Sequence, residues 1–579
     1  MGLYQRLLDD NNYGAVRMSE VKVVNQDQLK KRQGKTKGRI VDPAARAEIV
    51  ALLGKASRAK DLLIEHLHKI QDKFGHISAR HLAALAEEMK LSQTEAYEVA
   101  TFYHHFDVIK EGETPPPALT VRVCDSVTCA MFGAHALIRD LKASLGDGIR
   151  VQPVPCVGRC QHAPVAVVGQ NPVDNASVET VQARVEAKAI VAPLTDYISY
   201  EQYLANGGYQ LYRECLSGKR SAEELIKIME TSGLRGLGGA GFPVGRKWRI
   251  VAGYAAPRYM AMNIDEGEPG TFKDRYYLEL DPHRFIEGML IAVWAVGIDK
   301  IWVYLRDEYA GCRQILETEL AKLEANPPAA MPEIELRRGA GAYICGEESA
   351  MVESIEGKRG MPRLRPPFLA EVGLFGRPTL EHNMESVYWV RDIVEKGAEW
   401  FTAHGRHERK GLRSFSISGR VKKPGVHLAP AGITMRELID EYCGGMLDGH
   451  EFYGYFPGGA SGGILPASLG DIPLDFDTLN QYGCFIGSAA VIVFSQHDRA
   501  RDLALNSLKF FEDESCGQCT PCRAGTAKAV KLMEKSTWDQ SLLNELSGAM
   551  MDASICGLGQ AAPNPISCVI KYFPQELLK

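Results

Sequence analysis

RYMAMNIDEGEPG, residues 258–270, sets a short apolar run of strand composition directly before a cluster of acids and turn formers. A strand read there delivers Asn263, Asp265, Glu266, Glu268, Pro269 and Gly270 at its C-terminal end, where open α/β sheets hold their ligands. Carboxylates and amides in that place can bind sugar or polyol hydroxyls. An ordinary acidic turn is the other reading of the same residues.

Upstream, SGLRGLGGAGFPVGRKW (232–248) contains Gly236-x-Gly238-x-x-Gly241. The preceding SAEELIKIMETSG has helical rather than strand spacing, so this is not an ordinary Rossmann turn. Closely spaced glycines nevertheless let backbone N–H groups approach phosphate oxygens, and Arg235, Arg246 and Lys247 add complementary charge. A flexible loop is the alternative. Downstream the logic repeats: strand EIELRR leads into GAGAYICGEES and the helical ESAMVESIEG. Tyr343 could pack on an aromatic ring, and Glu347 and Glu348 fall in the first helical turn, where the helix dipole tolerates acids. The following GMPRLRPPFLAEVGLFGRPT (360–379) is rich in Pro and Gly and offers Arg365 and Phe368 to a nucleotide, unless it is simply a stiff loop.

Eight of the 14 cysteines fall into two spaced groups near opposite ends of the chain. Cys516-x2-Cys519-x2-Cys522 followed by Cys556 suits a 4Fe-4S cubane, three thiolates in one loop and a distant fourth closing the site. Zinc is the competing reading, although zinc ribbons usually pair two CxxC units. The second group, Cys124-x4-Cys129 and Cys156-x3-Cys160, can place two thiolates on each iron of a 2Fe-2S centre. A zinc site or a redox disulfide is its alternative. Cys215, Cys312, Cys345, Cys443, Cys484 and Cys568 stand apart and read as small buried hydrophobes. His104 and His105 read as packing or surface residues.

The full chain has 579 residues, 45% of them apolar and 24% charged, with a net charge of −5. That length demands several cores, and the charge offers no general attraction to nucleic acid or an anionic membrane. No run is apolar and long enough to span a bilayer, and the start lacks a secretory signal, so a cytoplasmic protein is expected. Along the chain we read a polar, basic arm over 1–45, a helical bundle over 46–117 and a small α/β unit over 118–195. In that unit ALTVRVCDS, IRVQPVPCVG and PVAVVGQNPV are strands. A connector over 196–232, a larger α/β region over 233–410, a small mixed domain over 411–496 and a helical end over 497–579 complete the reading.

With these motifs in place, the region from Gly233 onward resembles the flavoprotein subunit that carries the NADH site of respiratory complex I. GAGFPVGRKW, NIDEGEPGTFKDR, YICGEESAMVESIEGKRGMPRLRPPF, ESCGQCTPCRAGT and SICGLGQAAPNPI carry the likeness. Residues 46–195 similarly resemble the partner 2Fe-2S subunit, through the cysteine pairs and EVATFYHHF. The resemblance implies a multidomain α/β and α+β architecture. Its parts would be an N-terminal helical bundle, a thioredoxin-like ferredoxin domain, a Rossmann-like FMN/NAD domain, a ubiquitin-like (β-grasp) domain and a C-terminal helical bundle with the 4Fe-4S cluster. It further implies FMN near Gly236, Gly238, Gly239, Lys247, Asn263, Asp265, Glu268 and Tyr343, and NAD near Glu347, Glu348 and Phe368. FMN, not a side chain, would carry the hydride chemistry. Two departures stand in this pocket: Arg365 where the family usually has lysine, and Leu369 where it usually has proline. Fusion of the two subunits is similar to soluble NAD-dependent formate dehydrogenases and bidirectional NAD-linked hydrogenases. Persistence of all four N-terminal cysteines favours the formate dehydrogenase β subunit, which implies a partner α subunit with molybdenum or tungsten and further iron–sulfur clusters.

Overall fold

The four strands that organise the site form a parallel sheet in the order Thr379–Asn383, Tyr259–Ile264, Lys300–Leu305, Glu333–Arg338. The computed structural model describes residues 38–577, so most of the basic arm expected over 1–45 lies outside the described residues. Met260, Ala261, Met262 and Ile264 are fully buried, as expected where helices cover both faces of a parallel sheet. Three strands run outward in sequence order from Tyr259–Ile264, and Thr379–Asn383 returns on its other side. That reversal opens a crevice beyond the carboxyl ends of the two central strands, the place where such sheets hold ligands. Asn263 and Asn383 are paired at its edge.

Helix Pro282–Val296 shows how local sequence sets this layer. Asp281 caps it by accepting from the Arg284 amide, Pro282 opens it, and Gly297 at φ 69° ends it. Its middle is buried almost all round, and Gly288 passes so close to helix Met384–Tyr388 that a Cβ there would lie 2.2 Å from the Val387 carbonyl oxygen.

The stretch 196–232, expected as a connector with helical spacing only in SAEELIKIMETSG, forms helices Tyr200–Ala205 and Gln210–Leu216 as well as Ala222–Ser232. The Tyr203 hydroxyl donates to Glu287 at 2.6 Å and Tyr209 meets His283 at 2.8 Å, so the segment is packed into the wall of the α/β layer.

Helices Pro43–Leu53, Leu63–Phe74, Ala79–Glu88 and Gln93–Phe102 make the expected N-terminal bundle, with Ser92 capping the last by accepting from the Glu95 amide. The next sheet has the order Arg150–Val154, Thr120–Cys124, Ala166–Val168, Asn171–Val173, its first pair parallel and the others antiparallel. PVAVVGQNPV, expected as one strand, is therefore two, because Gly169 at φ 64° turns the chain back on itself. A five-stranded mixed sheet follows, in the order Gly425–Pro430, Leu412–Gly419, Ala490–Ser495, Phe452–Phe456, Leu465–Pro466. Helices from Ala500 to Tyr572 close the chain. No helix of the described residues is long and apolar enough to cross a membrane.

His105, expected to be a packing or surface residue, has a defined partner. Its Nδ1 lies 2.9 Å from Asp307 at the end of a central strand, while His68 Nε2 meets the Gly339 carbonyl at 2.9 Å. Among the described residues, His68, His105 and Asp307 are the one trio of possible metal-ligand atoms within 4.8 Å of one another. Arg338 and Arg313 already hold the Asp307 carboxylate, and their charges oppose a cation there. The trio is a seam joining the bundle to the parallel sheet.

Helix propensity alone favours Gly288→Ala by about 1 kcal/mol, whereas the Val387 carbonyl leaves no room for a methyl group. We expect the substitution to destabilise the α/β layer by about 2 kcal/mol, seen as a lower midpoint in thermal or urea unfolding; an unchanged or raised midpoint would refute this packing.

Candidate functional site

The glycine loop lies over the crevice. Leu237 donates its amide to Ser386 at 2.8 Å, and a Cβ on Gly238 would sit 2.9 Å from that of Asn383. Gly236 makes the loop's closing contact through its amide to the Phe242 carbonyl, while Gly239, at φ 135°, faces open space with no atom within 4 Å of a Cβ position. Arg235 donates to the loop's own Gly241 carbonyl at 2.5 Å. It pairs with Asp477 at 2.5 Å and stacks on Phe476.

Below the loop runs a line of polar side chains. Asn263 donates to the Gly346 carbonyl at 3.0 Å and to Glu381 at 3.3 Å, and Lys247 donates to Glu381 at 2.9 Å. Lys247 also lies 4.0 Å from Glu348, which Arg365 holds at 3.1 Å, and Arg365 further pairs with Glu347. Burial opposes the Lys247 charge, yet Glu381 and Glu348 together keep its pKa above the usual lysine value; burial also raises the Glu348 carboxyl. Glu347 caps helix Glu348–Ile355 by accepting from the Ser349 and Ala350 amides at 3.0 and 2.9 Å. Phe368 stands 57% exposed on the Pro–Gly loop and takes no part in these hydrogen bonds. Leu369 is buried in the core.

A third loop completes the enclosure. Glu268 accepts from the Tyr343 hydroxyl at 2.5 Å and from the amide and hydroxyl of Ser461 at 2.7 and 2.9 Å. Ser461 belongs to FPGGASGG of the mixed sheet, where Gly459 admits the Glu268 side chain into space that a Cβ would occupy. Burial raises Glu268, and it pushes the Asp265 carboxyl well above its ordinary range; Asp265 Oδ2 is buried with no partner. An unpartnered carboxyl oxygen, an open glycine cradle and a paired lysine in one crevice fit a phosphate-bearing polyol such as the ribityl chain of FMN. Sequence reasoning missed Glu381, Ser461 and Asn383. Their partners lie more than a hundred residues away, so no local pattern marks them.

On the other side of the 265–272 loop the N-terminal cysteines converge. Cys124 ends a strand, Cys129 lies on the turn of helix Val127–Met131, and Cys156 and Cys160 follow the neighbouring parallel strand. All four are buried, and the Cys156 and Cys160 sulfurs are 3.2 Å apart. The Cys124 and Cys160 thiols, with Arg306, pull Cys156 well below the usual thiol range, toward the thiolate that binds metal. Arg306 also donates to the Cys156 carbonyl at 2.7 Å, and Arg275 to that of Gly158 at 2.9 Å. Two buried guanidinium groups thus face a site suited to an anionic cluster.

Cys516, Cys519, Cys522 and Cys556 line one enclosed cavity with Ile344, Pro362 and Leu558. Cys519 stands at the N-terminus of the 14-residue helix Thr520–Met533, whose dipole there favours negative charge. The Leu558 and Gly559 amides lower the Cys556 thiol pKa, but burial dominates and pushes it up to about 12; burial likewise pushes Cys522 to about 11. Neither cysteine set brings three sulfurs within 4.8 Å of one another. Tyr343 links the crevice to this cavity, its amide donating to Glu514 at 2.9 Å beside Phe510 and its neighbour Ile344 lining the cavity wall.

Cys556→Ala is expected to erase one cluster's EPR signal while flavin and the N-terminal cluster remain bound, and Cys160→Ala to do the converse. Unchanged spectra would reject these cysteines as ligands.

Three family models match the chain: the thioredoxin-like [2Fe-2S] ferredoxin over residues 49–189, the Nuo51 FMN-binding domain over 229–392, and the NADH-ubiquinone oxidoreductase-F iron-sulfur binding region over 502–579. The NADH-quinone oxidoreductase F subunit 2 of Rhizobium meliloti is 40% identical over 391 residues, covering 65% of this chain and 93% of the relative. The NADH-quinone oxidoreductase F subunit of Aquifex aeolicus is 39% identical over 392 residues, covering 65% and 90%. A chain of an NAD+-reducing [NiFe]-hydrogenase, solved in the H2-reduced state, superposes with a TM-score of 0.79 at 31% identity, covering 90% of this chain and 93% of that one. The chain carries an FMN-binding domain and regions for one 2Fe-2S and one 4Fe-4S cluster, and it belongs to the family of NADH-quinone oxidoreductase F subunits, the NADH-binding flavoproteins.

Proposed function

We propose that this chain is the NAD(H)-exchanging module of a multi-subunit oxidoreductase of the NAD-linked hydrogenase or complex I type. The observation that carries the reading is the convergence of the 263–275 loop, the glycine loop and Tyr343 between two cysteine sets. When bound, FMN supplies hydride exchange with nicotinamide and single-electron exchange with iron–sulfur centres. The chain's own part is binding, orientation and charge. Asn263, Asp265 and the glycines Gly236, Gly238 and Gly239 would hold the flavin's polyol and phosphate, with Lys247 supplying positive charge. Glu268 and Tyr343 would border it, locked to each other and to Ser461. Glu347 and Glu348 would border the dinucleotide, and the exposed Phe368 would be free to cover it.

The likeness to the hydrogenase chain spans both the thioredoxin-like and flavoprotein parts, and none of these relatives is named for formate. A hydrogen- or quinone-linked partner therefore stands ahead of the formate dehydrogenase partner expected from sequence. Formate remains the second reading because all four N-terminal cysteines are present and gathered.

Two measurements test this. The purified native complex should contain FMN, reduce ferricyanide with NADH and couple NAD to hydrogen or a quinone; coupling to formate with neither of these would reverse the order of the two readings. Glu347 and Glu348 should repel the extra phosphate of NADPH, leaving it at least about tenfold poorer than NADH in kcat/KM, a difference of about 1.4 kcal/mol. Equal rates with the two nucleotides would count against the acids as its neighbours.

A further inference from the structure

Two of the cysteines expected to be isolated hydrophobes are a pair. Cys484, in the mixed-sheet domain, and Cys568, on helix Asn564–Tyr572, bring their sulfurs to 3.5 Å across a separation of 84 residues. Both are 2% exposed and neither belongs to a cluster set. The surroundings hold the two elements together. Asn564 donates to the Ser461 carbonyl and the Tyr572 hydroxyl to the Tyr482 carbonyl, each at 2.9 Å. Gly463 packs directly on the pair, with a Cβ position 2.7 and 3.0 Å from the two sulfurs. A disulfide needs the sulfurs at about 2.0 Å, so closure asks only for side-chain rotation and a small approach.

We propose that Cys484 and Cys568 form a reversible intrachain disulfide, closed by a peroxide, that clips the cluster-bearing C-terminal helices to the mixed sheet. Donation from the Cys484 thiol lowers the Cys568 pKa, which makes Cys568 the attacking sulfur. Its thiolate takes one peroxide oxygen as the O–O bond breaks, and the departing hydroxide leaves as water with a thiol proton. The Cys484 sulfur then displaces the remaining oxygen from Cys568, again as water, and the S–S bond forms. Two thiols lose two protons and two electrons, and one peroxide becomes two waters. The clip would bear on the site through one loop: Ser461 holds Glu268 and Gly463 covers the pair. It would thereby tie the loop behind Tyr343 to the helices that follow Cys556. This inference does not depend on which partner supplies or accepts electrons.

The test uses holoenzyme purified without air and treated with stoichiometric hydrogen peroxide, then denatured, alkylated and mapped without reductant. The expected product is a Cys484–Cys568 cross-linked peptide, lighter by two hydrogens, that dithiothreitol reverses and that Cys484→Ser lacks. The oxidised wild type should also unfold at a temperature higher by roughly 5 °C or more, with Cys484→Ser unmoved by peroxide. Full alkylation of both thiols after the cluster cysteines have begun to oxidise would overturn the proposal, and so would a cross-link between other cysteines. Should the variant fail to fold, the wild-type map alone decides between these outcomes.

Discussion

The guanidinium of Arg306 is the interaction on which the arrangement rests. It is 4% exposed, at the carboxyl end of a central parallel strand, and donates to the carbonyls of Cys156 and Glu266 while pairing with Glu308. One buried cation therefore fixes the N-terminal cysteine loop, the acid-rich loop and the sheet relative to each other. A charge so buried is costly unless every donor is used, and this one is satisfied by groups from separate domains. The next residue, Asp307, repeats the device toward the helical bundle through His105 and Arg338. Removing either side chain would leave buried charges without partners rather than merely subtract a contact.

Electrostatics distinguishes the two cysteine sets. In the N-terminal set Cys156 is drawn toward thiolate by the donating Cys124 and Cys160 thiols and by Arg306, while hydrogen bonding to neighbouring sulfurs pushes Cys124 and Cys160 well above the usual thiol range. In the C-terminal set desolvation raises the Cys516, Cys522 and Cys556 thiols, so a metal binding there has to displace their protons. Cluster assembly at the second site is therefore coupled to proton release. The helix N-termini at Cys519 and Cys556 soften that cost.

The crevice between them owes its form to topology. A sheet whose strand order reverses beside Tyr259–Ile264 leaves a gap no crossover helix fills. The glycine loop, the Tyr343 turn and FPGGASGG each close one side of it. Arg365 spans Glu347 and Glu348 at the mouth. Guanidinium geometry suits two carboxylates at once, which a lysine ammonium reaches only as a point charge.

Much of this was legible in the residues. Spaced cysteines, a strand running into acids and glycines at a helix entrance each demand a particular chemistry within a short span, and short spans are what a sequence displays. The sequence by itself therefore displayed the two spaced cysteine groups, the α/β character of the middle and the run of acids and glycines that the fold gathers at the crevice. Tertiary structure alone decided that 196–232 is packed wall rather than connector, that PVAVVGQNPV folds back as a hairpin, and that Arg235 joins Asp477 to the Gly241 carbonyl of the glycine loop. It also decided the pairings Lys247 with Glu381, Glu268 with Ser461 and Cys484 with Cys568. The physical reason is common to all of them: each depends on which distant segment the strand order and helix packing bring near, and a buried charge or thiol acquires its properties from that neighbour.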